Sequence, residues 1–308
     1  MPGLLDIIMG YDCNVFCDYC TISPDMRLRA LSPKAIASEL RRGIPDSYDR
    51  VQFTGGEPTI RSDLLPLVRF AAAAGYRDIK VQSNGLLLAA EPNRRRLFEA
   101  GVTRVHQSIH THRADMYDAL VRREGTYPQM VAALEALAVA PIEFGVDLIM
   151  KEDTYRDLAA AVDWVADRGV RTLDLWFVSL TDQNRSNVAS MPRMTAVVPF
   201  MEEAFVRGEA RGVAMRTLHV PRCLLPEAHI PRAYDPGLER VRVVTPDATF
   251  ELRRSKLTGS RYVPACDGCS FRAICPGIRE DYVERFGDAE FALARGQSPT
   301  LGERLPVV

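Results

Sequence analysis

The amino-acid sequence predicts an α/β protein built on a parallel β-sheet that is covered by helices. Through the first two-thirds of the 308 residues, short apolar segments alternate with longer helical segments, and six such pairs follow one another. Parallel strands require crossover connections, which are usually helices, so this alternation is typical of a parallel sheet. The spacing by itself fits a doubly wound open sheet as well as a barrel-like one.

The individual elements are predicted from apolar patterns and from signals at their ends. Ser32 before Pro33 is typical of an N-cap followed by proline in the first helical turn. Gly75, Gly101 and Gly169 stand where helices are expected to end, each before the next strand. The expected strands are residues 3–9, 50–54, 78–83, 103–109, 143–150 and 172–179, and the expected helices are residues 33–43, 62–75, 91–100, 126–139, 153–168 and 194–208.

Several predicted strands carry polar residues at alternate positions. A packed barrel interior is normally filled by branched apolar side chains. If the polar positions instead face the helices, several would be buried without partners, which costs free energy. We therefore predict that they line a hydrated pocket enclosed by the sheet, and the residues concerned are Lys80, Gln82, Asn84, His106, Ser108, His110, Asp147, Asp174 and Trp176.

Three cysteines lie close together on the loop after the first predicted strand. Cys13, Cys17 and Cys20 have the spacing C-x₃-C-x₂-C, and thiolates gathered in this way select iron–sulfur clusters or zinc. Three ligands on a four-iron cluster leave one iron without a protein ligand, where a small molecule can coordinate. The alternative is a zinc site with its fourth ligand elsewhere, because structural zinc prefers four protein ligands.

A second motif, Gly55-Gly56-Glu57-Pro58, follows the next predicted strand. Paired glycines let the backbone turn tightly and approach a ligand closely, and a carboxylate can accept charge-assisted hydrogen bonds from an ammonium group. This motif, one βα unit after the three cysteines, resembles the corresponding pair of motifs in the radical S-adenosylmethionine (radical SAM) superfamily. The resemblance covers roughly the first 220 residues.

The resemblance implies a fold, a cofactor and a set of ligands. The fold is a partial (β/α)₆ barrel, and in the family the three cysteines hold a 4Fe-4S cluster whose open iron is chelated by the amino-acid end of SAM. Similar proteins place an aromatic residue against the adenine, the Gly-Gly-Glu segment at the SAM ammonium group, polar residues at strand ends near SAM, among them a serine at the ribose, and an arginine at the SAM carboxylate. In this sequence the corresponding residues are Tyr19, Gly55, Gly56, Glu57, Ser83, Asn84, Ser108 and, one position out of the usual register, Arg122.

The βα alternation stops near residue 220, and the C-terminal part has its own cysteines. Residues 241–244 and 249–252 flank a turn and predict a β-hairpin, and a short helix is expected at residues 278–286. Four further thiols can close a second 4Fe-4S cluster completely, with a zinc ribbon as the alternative. The pattern resembles the auxiliary-cluster extension of radical SAM enzymes, called SPASM or twitch. We therefore predict a radical SAM barrel at residues 1–220 and an auxiliary iron–sulfur domain at residues 221–308, with Cys223, Cys266, Cys269 and Cys275 as its ligands.

The overall composition excludes several classes of partner. The 39 basic residues balance the 40 acidic ones, so the charge provides no footprint for nucleic acid or anionic membranes. No apolar run is long enough to span a bilayer, and the N-terminus lacks the pattern of a secretory signal. A cytoplasmic, reducing location is expected, in which cysteines serve as ligands rather than in disulfides.

Radical SAM chemistry takes a hydrogen atom from an inert C–H bond, and the closed second cluster favours electron transfer from the substrate. The expected reaction is a net oxidation of a small molecule such as an aminocyclitol, sugar or nucleoside, with Asp147, His106 or His110 as the base and a ferredoxin- or flavodoxin-type reductant. No peptide-binding domain precedes the first strand, which favours the small molecule over a peptide substrate. Peptide crosslinking, sulfur insertion and a non-catalytic iron–sulfur or zinc redox sensor remain alternatives. All seven cysteines are assigned to clusters, which disfavours epimerisation by a cysteine hydrogen donor.

Overall fold

A computed structural model describes residues 3–234, 239–252 and 259–293. Its centre is a sheet of nine strands. The strands are β1 (Gly3–Ile8), β2 (Tyr48–Thr54), β3 (Asp78–Ser83), β4 (Arg104–His110), β5 (Glu143–Met150), β6 (Thr172–Phe177), β7 (Ala214–Leu218), β8 (Val241–Val244) and β9 (Thr249–Glu251). The six predicted strands are all present, and β7 is an additional one.

The strand order decides between the two sheet types that the spacing allowed. The order is β7-β6-β5-β4-β3-β2-β1-β8-β9, and all neighbours except β8 and β9 are parallel. A doubly wound sheet reverses its strand order at a switch point, whereas here each strand from β1 to β7 lies beside its predecessor. Right-handed crossovers then place the helices that connect β1 to β7 on the same face, and the sheet curves around its other face. This is a partial α/β barrel.

The helices follow their predicted limits closely. They are α1 (Pro33–Gly43), α2 (Leu64–Ala74), α3 (Glu91–Ala100), α4 (Ala114–Val121), α5 (Tyr127–Ala138), α6 (Leu158–Asp167), α7 (Met194–Arg211), α8 (Glu280–Phe286) and α9 (Ala289–Leu293). The Ser32 side chain accepts a hydrogen bond from the Ala35 N–H, as the N-cap prediction requires. Gly75 and Gly101 end α2 and α3 in the left-handed conformation. The short α4, which lacks a side-chain N-cap, was not predicted.

Apolar and polar side chains alternate along the strands, which gives the sheet an apolar outer face and a polar inner face. Val81, Val105, Val146 and Leu173 are fully buried beneath the helices. The positions between them carry the polar residues, and these contact one another from strand to strand across the enclosed lumen. These contacts confirm the predicted inward orientation of Gln82, His106, Asp147, Asp174 and Trp176, whereas the hydration of the lumen stays a prediction.

The C-terminal part joins the sheet at its other end. The predicted hairpin is confirmed as β8 and β9, and β8 pairs in parallel with β1, so that Leu4 lies opposite Val241. Two short strands, β10 (Ser260–Arg261) and β11 (Ile278–Arg279), form a separate antiparallel pair that leads into α8. The boundary at residue 220 falls just after β7 and stays a prediction. None of the described helices has both the length and the apolar composition that a bilayer crossing requires.

Candidate active site

The loop after β1 carries the three N-terminal thiols and is held in place through its backbone. The Phe16 and Asp18 N–H groups donate to the carbonyls of Val121 and Leu120 at the end of α4, at 3.0 and 2.8 Å. The Arg27 guanidinium donates to the carbonyls of Cys13 and Val15 at 2.8 and 2.7 Å. The loop is thus fixed through its backbone from Cys13 to Asp18.

The spacing of these thiols fits an iron–sulfur cluster better than a single zinc ion. Four sulfurs on one zinc lie about 3.8 Å apart, because each Zn–S bond is about 2.3 Å long. Among the described residues, the thiols form no group of three in which all sulfurs lie within 4.8 Å of one another. Burial raises the pKa of Cys13 to about 11 and also raises that of Cys17. These thiols are therefore protonated until a metal centre displaces their protons.

The Gly-Gly-Glu segment packs directly on the start of this cysteine loop. The Gly56 N–H donates to the Gly10 carbonyl at 2.9 Å, and the Glu57 N–H donates to the Asp12 carbonyl at 2.8 Å. A Cβ on Gly56 would overlap the carbonyl oxygens of Asp12 and of Tyr11, the latter at 2.5 Å. Two peptide segments approach closely here, which is why the motif needs glycine.

The Glu57 carboxylate lies behind the glycines and is almost fully engaged by the protein. It is 2% exposed. Its Oε1 accepts from the Thr59 N–H, the Thr59 hydroxyl and the Ser83 hydroxyl at 3.0, 2.5 and 2.8 Å, and its Oε2 accepts from the Asn84 N–H at 2.7 Å. Burial raises the pKa of Glu57, although these donors oppose the shift. A carboxylate has about four acceptor sites, so only Oε2 retains capacity for a ligand donor. The predicted contact of Glu57 with the SAM ammonium group stays a prediction.

The end of β3 reaches the cysteine loop through Asn84. Its side-chain N–H donates to the Asn14 carbonyl oxygen Oδ1 at 2.6 Å and lies 3.8 Å from the Cys13 sulfur. Its own Oδ1 accepts from the Leu86 N–H at 3.1 Å, which closes the turn after the strand. Asn84 therefore joins the third strand to the first thiol.

Tyr19 and His110 form one unit beside the second thiol. The Tyr19 hydroxyl is hydrogen-bonded to His110 Nδ1, and His110 Nε2 lies 3.8 Å from the Cys17 sulfur. Burial lowers the pKa of His110 to about 4, so that the ring is neutral near pH 7. Both ring nitrogens face these neighbours, and the role of His110 as a base stays a prediction.

These elements surround a cavity of about 180 Å³ that is open to solvent. Of the predicted site residues it is lined by Cys13, Cys17, Cys20, Tyr19, Gly55, Gly56, Ser83, Asn84, Ser108 and His110. Arg122 is not brought there, because it lies exposed at the C-terminal end of α4. Sequence reasoning missed Arg27, which lines the cavity. Its only signal was its position seven residues after Cys20.

Below the cavity, the lumen holds a buried group of two carboxylates and one imidazole. His106 Nδ1 lies 3.5 Å from Asp147 Oδ1 and 3.9 Å from Asp174 Oδ2. Gln82, which also lines the cavity, donates to Asp147 Oδ2 at 2.5 Å. The predicted base candidates Asp147 and His106 are therefore adjacent and connected to the cavity.

A buried cation connects the cysteine loop to the end of β5. Lys151 Nζ lies 2.9 Å from Asp18 Oδ2 and 2.7 Å from Asp153 Oδ1, and its side chain is 3% exposed. Asp18 stands between Cys17, which is predicted to bind the cluster, and Tyr19, which is predicted to contact the adenine. The ion pair therefore helps to position both residues.

The four C-terminal thiols lie near one another. The charges of Cys275, Cys269 and Cys266 add to the effect of burial, which raises the pKa of Cys223 to about 12. The Gly277 N–H lies 3.4 Å from the Cys275 sulfur, as the Ile22 N–H does from the Cys20 sulfur. Backbone N–H groups that point at sulfur are typical of iron–sulfur sites.

A curved, mainly parallel sheet with thiols gathered at the carboxyl ends of its strands is typical of barrel enzymes that bind an iron–sulfur cluster. Residues 7–174 match the sequence pattern of the Radical SAM superfamily. The chain belongs to this superfamily.

Several of the curated relatives are GTP cyclases. GTP 3',8-cyclase 3 of Mycobacterium bovis is 34% identical over 137 residues, which are 42% of this chain and 35% of that protein. A probable GTP 3',8-cyclase of Sulfurisphaera tokodaii is 22% identical over 243 residues, 78% of this chain and 77% of that protein. The chain thus spans about a third of the first relative and three-quarters of the second.

Solved structures share the fold over nearly the whole chain. Streptococcus suis SuiB bound to S-adenosylmethionine has a TM-score of 0.73 at 12% identity, covering 92% of this chain and 74% of that one. anSMEcpe with bound AdoMet has a TM-score of 0.67 at 16% identity, covering 96% of this chain and 93% of that one. At these identities the likeness shows the fold alone.

Proposed function

We propose that this radical SAM enzyme removes hydrogen from a C–H bond of a substrate held in the barrel lumen. One observation carries the proposal: the cavity is bounded by the three thiols and the two glycines, and through Gln82 it adjoins the buried polar group of the lumen. SAM and its cluster, when bound, supply a 5'-deoxyadenosyl radical that takes the hydrogen atom. The protein positions the reactants and excludes water.

The cavity residues divide the binding of SAM among them. Cys13, Cys17 and Cys20 would hold the 4Fe-4S cluster. Gly55 and Gly56 would let the backbone approach the SAM ammonium group, with Oε2 of Glu57 behind them. Tyr19 would lie against the adenine. Ser83, Asn84 and Ser108 would hydrogen-bond the rest of the molecule, while Arg27, rather than Arg122, is the guanidinium beside the cavity.

A second 4Fe-4S cluster held by Cys223, Cys266, Cys269 and Cys275 is the second part of the proposal. Support comes from the mutual charge effects of these thiols, from their spacing beyond that of a zinc site, and from the N–H group at Cys275. Four protein ligands would leave no iron open to substrate, which fits electron transfer rather than substrate coordination.

The overall reaction would then be a two-electron oxidation. The substrate loses a hydrogen atom to the adenosyl group, an electron to the second cluster and a proton to a base. Asp147 or His106 is the nearest candidate for that base, since both lie in the lumen and Asp147 contacts the cavity-lining Gln82. The reductant of the first cluster would be a ferredoxin- or flavodoxin-type protein.

Two other reactions are favoured by the similar proteins. GTP 3',8-cyclases among the relatives favour a cyclisation of a nucleotide instead of a net oxidation. Neighbours whose structures contain peptides, SuiB with the precursor peptide SuiA and anSMEcpe with Kp18Cys peptide, favour a peptide substrate.

The experiment is anaerobic turnover of reconstituted protein with dithionite and SAM. We expect about eight iron atoms per chain, and formation of 5'-deoxyadenosine that is abolished in Cys17→Ala. Cys223→Ala should retain about four iron atoms at the N-terminal site and form 5'-deoxyadenosine without the oxidised product. Four iron atoms in the wild type would exclude the second cluster. Zinc at both sites with no 5'-deoxyadenosine would favour the redox or zinc sensor.

A further inference from the structure

His110 ends β4 in a backbone conformation that residues other than glycine rarely adopt. Its φ is 57°, in the left-handed region. The Thr111 N–H donates to the Ile109 carbonyl at 2.6 Å, which closes a three-residue turn centred on His110. The pairing of β4 with β5 is irregular between Ser108 and His110. Strain of this kind persists only where the surrounding structure holds it, and it is concentrated at functional sites.

The side chain of His110 links two predicted site residues on the cysteine loop. It is 6% exposed, and its ring contacts the rings of Tyr19 and Tyr117, with centroids 5.7 and 6.0 Å away. Its Nε2 lies 3.8 Å from the Cys17 sulfur, and its Nδ1 is hydrogen-bonded to the Tyr19 hydroxyl. The strained turn thus holds the imidazole between a thiol and a phenol.

The chemistry of these two neighbours decides which ring nitrogen carries the hydrogen. A cysteine that binds iron does so as a thiolate, and a thiolate sulfur can only accept a hydrogen bond. The Tyr19 hydroxyl has a proton to donate. Both partners are satisfied when Tyr19 donates to Nδ1 and Nε2 carries the hydrogen that faces the Cys17 sulfur. In the opposite tautomer a nitrogen lone pair would face the negative sulfur, which is unfavourable.

The other two N-terminal sulfurs also have N–H groups close to them. Asn84 Nδ2 lies 3.8 Å from the Cys13 sulfur, and the Ile22 N–H lies 3.4 Å from the Cys20 sulfur. Hydrogen bonds to the sulfurs are one of the means by which a protein sets the reduction potential of an iron–sulfur cluster. His110 provides the corresponding donor at the second thiol.

An N–H donor at a cluster sulfur favours the reduced cluster. Reduction adds one negative charge, part of which resides on the sulfurs, so the hydrogen bond is stronger in the reduced form. In a site of low local dielectric this difference is enlarged. A donor at Cys17 therefore raises the reduction potential, and an electron enters the cluster more easily.

We propose that His110 donates a hydrogen bond from Nε2 to the Cys17 thiolate and thereby raises the reduction potential of the N-terminal cluster. The Tyr19 hydroxyl holds the ring in this orientation. This inference rests on the proposed function for the presence of that cluster. Because both ring nitrogens are engaged, His110 has no lone pair for a substrate proton, and it is not the base of the reaction.

The test is a redox titration of the anaerobically reconstituted protein without SAM, followed by EPR spectroscopy. The N-terminal cluster is the signal that is absent from Cys17→Ala. His110→Asn and His110→Gln form a matched pair, because the amide nitrogen of asparagine reproduces the position of Nδ1 and that of glutamine the position of Nε2. We expect His110→Asn to disfavour the reduced form about tenfold, which is about 59 mV for a one-electron couple. His110→Gln, which retains the donor to sulfur, should stay within about threefold of the wild type.

The control is His112→Asn, the same change two residues further along the chain. His112 is half-buried against Trp164, at a centroid distance of 6.5 Å, and is not among the described residues that line the cavity. Its substitution should leave the potential unchanged. A loosened site that admits water would stabilise the added charge and raise the potential, so its effect has the opposite sign. Each variant is used only if its circular dichroism and iron content match the wild type.

Pulsed EPR of the reduced protein labelled with ¹⁵N-histidine tests the hydrogen bond in the unsubstituted chain. The sequence has five histidines. We expect a weak coupling between the electron spin of the N-terminal cluster and one histidine nitrogen, and its loss in His110→Gln. Absence of this coupling from the wild type would overturn the inference. So would a potential in His110→Asn that is higher than in the wild type, or within about threefold of it.

These measurements do not involve cleavage of SAM, so the two proposals fail separately. A lowered potential in His110→Asn, in a protein that forms no 5'-deoxyadenosine, would overturn the proposed function and support the hydrogen bond. Formation of 5'-deoxyadenosine by proteins with equal potentials would support the proposed function and overturn the role of His110.

Discussion

Lys151 Nζ lies 2.9 Å from Asp18 Oδ2, which joins the end of β5 to the middle of the cysteine loop. The lysine is buried, while 29% of the Asp18 side chain is exposed. The ion pair offsets part of the charge of a carboxylate that stands next to Cys17, although the Asp18 charge still contributes to the raised pKa of that thiol. It also links the loop to the strand that carries Asp147.

Lys151→Met should destabilise the protein by about 2–3 kcal/mol, because it leaves Asp18 and Asp153 without their cation. Their partial exposure keeps the loss below that of a fully buried pair. Urea denaturation measures it. The double variant Lys151→Met/Asp18→Asn should recover about 1 kcal/mol or more. If the double variant loses as much stability as Lys151→Met and Asp18→Asn lose together as single variants, the ion pair does not hold the loop.

Gly56→Ala should prevent the Gly-Gly-Glu segment from packing on the cysteine loop, because its Cβ would overlap two carbonyl oxygens. We expect a loss of about 3 kcal/mol in unfolding free energy and loss of SAM binding in equilibrium dialysis. Gly75→Ala is the matched control, since Gly75 has a φ of 101° with nothing near its Cβ position. It should cost only about 1 kcal/mol and leave SAM binding unchanged. Equal effects would show that the close approach at Gly56 is unimportant.

Glu57→Gln should be strongly destabilising although it keeps the shape of the side chain. An amide N–H₂ would face at least one of the donors from Thr59, Ser83 or Asn84, and each unmet buried donor costs about 1–3 kcal/mol. Thermal unfolding of the protein without its cofactors measures this cost in the absence of SAM. Ser83→Ala, which removes a single donor, should cost about 1 kcal/mol. If Glu57→Gln left the thermal stability unchanged, the carboxylate would act only on a ligand.

The stability should depend on pH through Asp6, whose pKa burial raises from 3.8 to about 6. The folded protein therefore holds a proton here that the unfolded chain releases near pH 4. Stability contributed by this group is greatest at low pH and is lost as the pH rises from about 4 to about 6. Asp6→Asn lacks this loss and should gain up to about 3 kcal/mol over the wild type at pH 7.5. Urea denaturation at pH 4.5, 5.5 and 7.5 compares the two proteins. A difference that does not vary with pH would contradict the shift.

Much of the fold could be predicted from local signals. Alternating apolar residues located the six strands, and their polar inner face followed from a period of two at His106 and Asp147. β7 and α4 were missed because both are short and α4 has no side-chain N-cap. The pairing of β8 with β1 depends on contacts between distant parts of the chain, which no local pattern carries.

Many of the residues that line the cavity were named from the sequence, whereas the contacts among them were not. The thiols and the two glycines were found because their spacing is itself the signal. The engagement of Glu57 by Ser83 and Asn84 depends on where β3 ends relative to the loop after β2. The position of Arg27 at the cavity, and of Arg122 outside it, depends on how the cysteine loop folds back on α4.

Because β8 completes one flank of β1, the strand that leads into the cysteine loop gains this neighbour only after residue 244 has left the ribosome. During synthesis that flank exposes open backbone groups, which other chains can pair with. Full support of the strand that leads into the cysteine loop therefore depends on a segment far downstream in the chain. A truncated product that ends before Val241 should aggregate rather than mature.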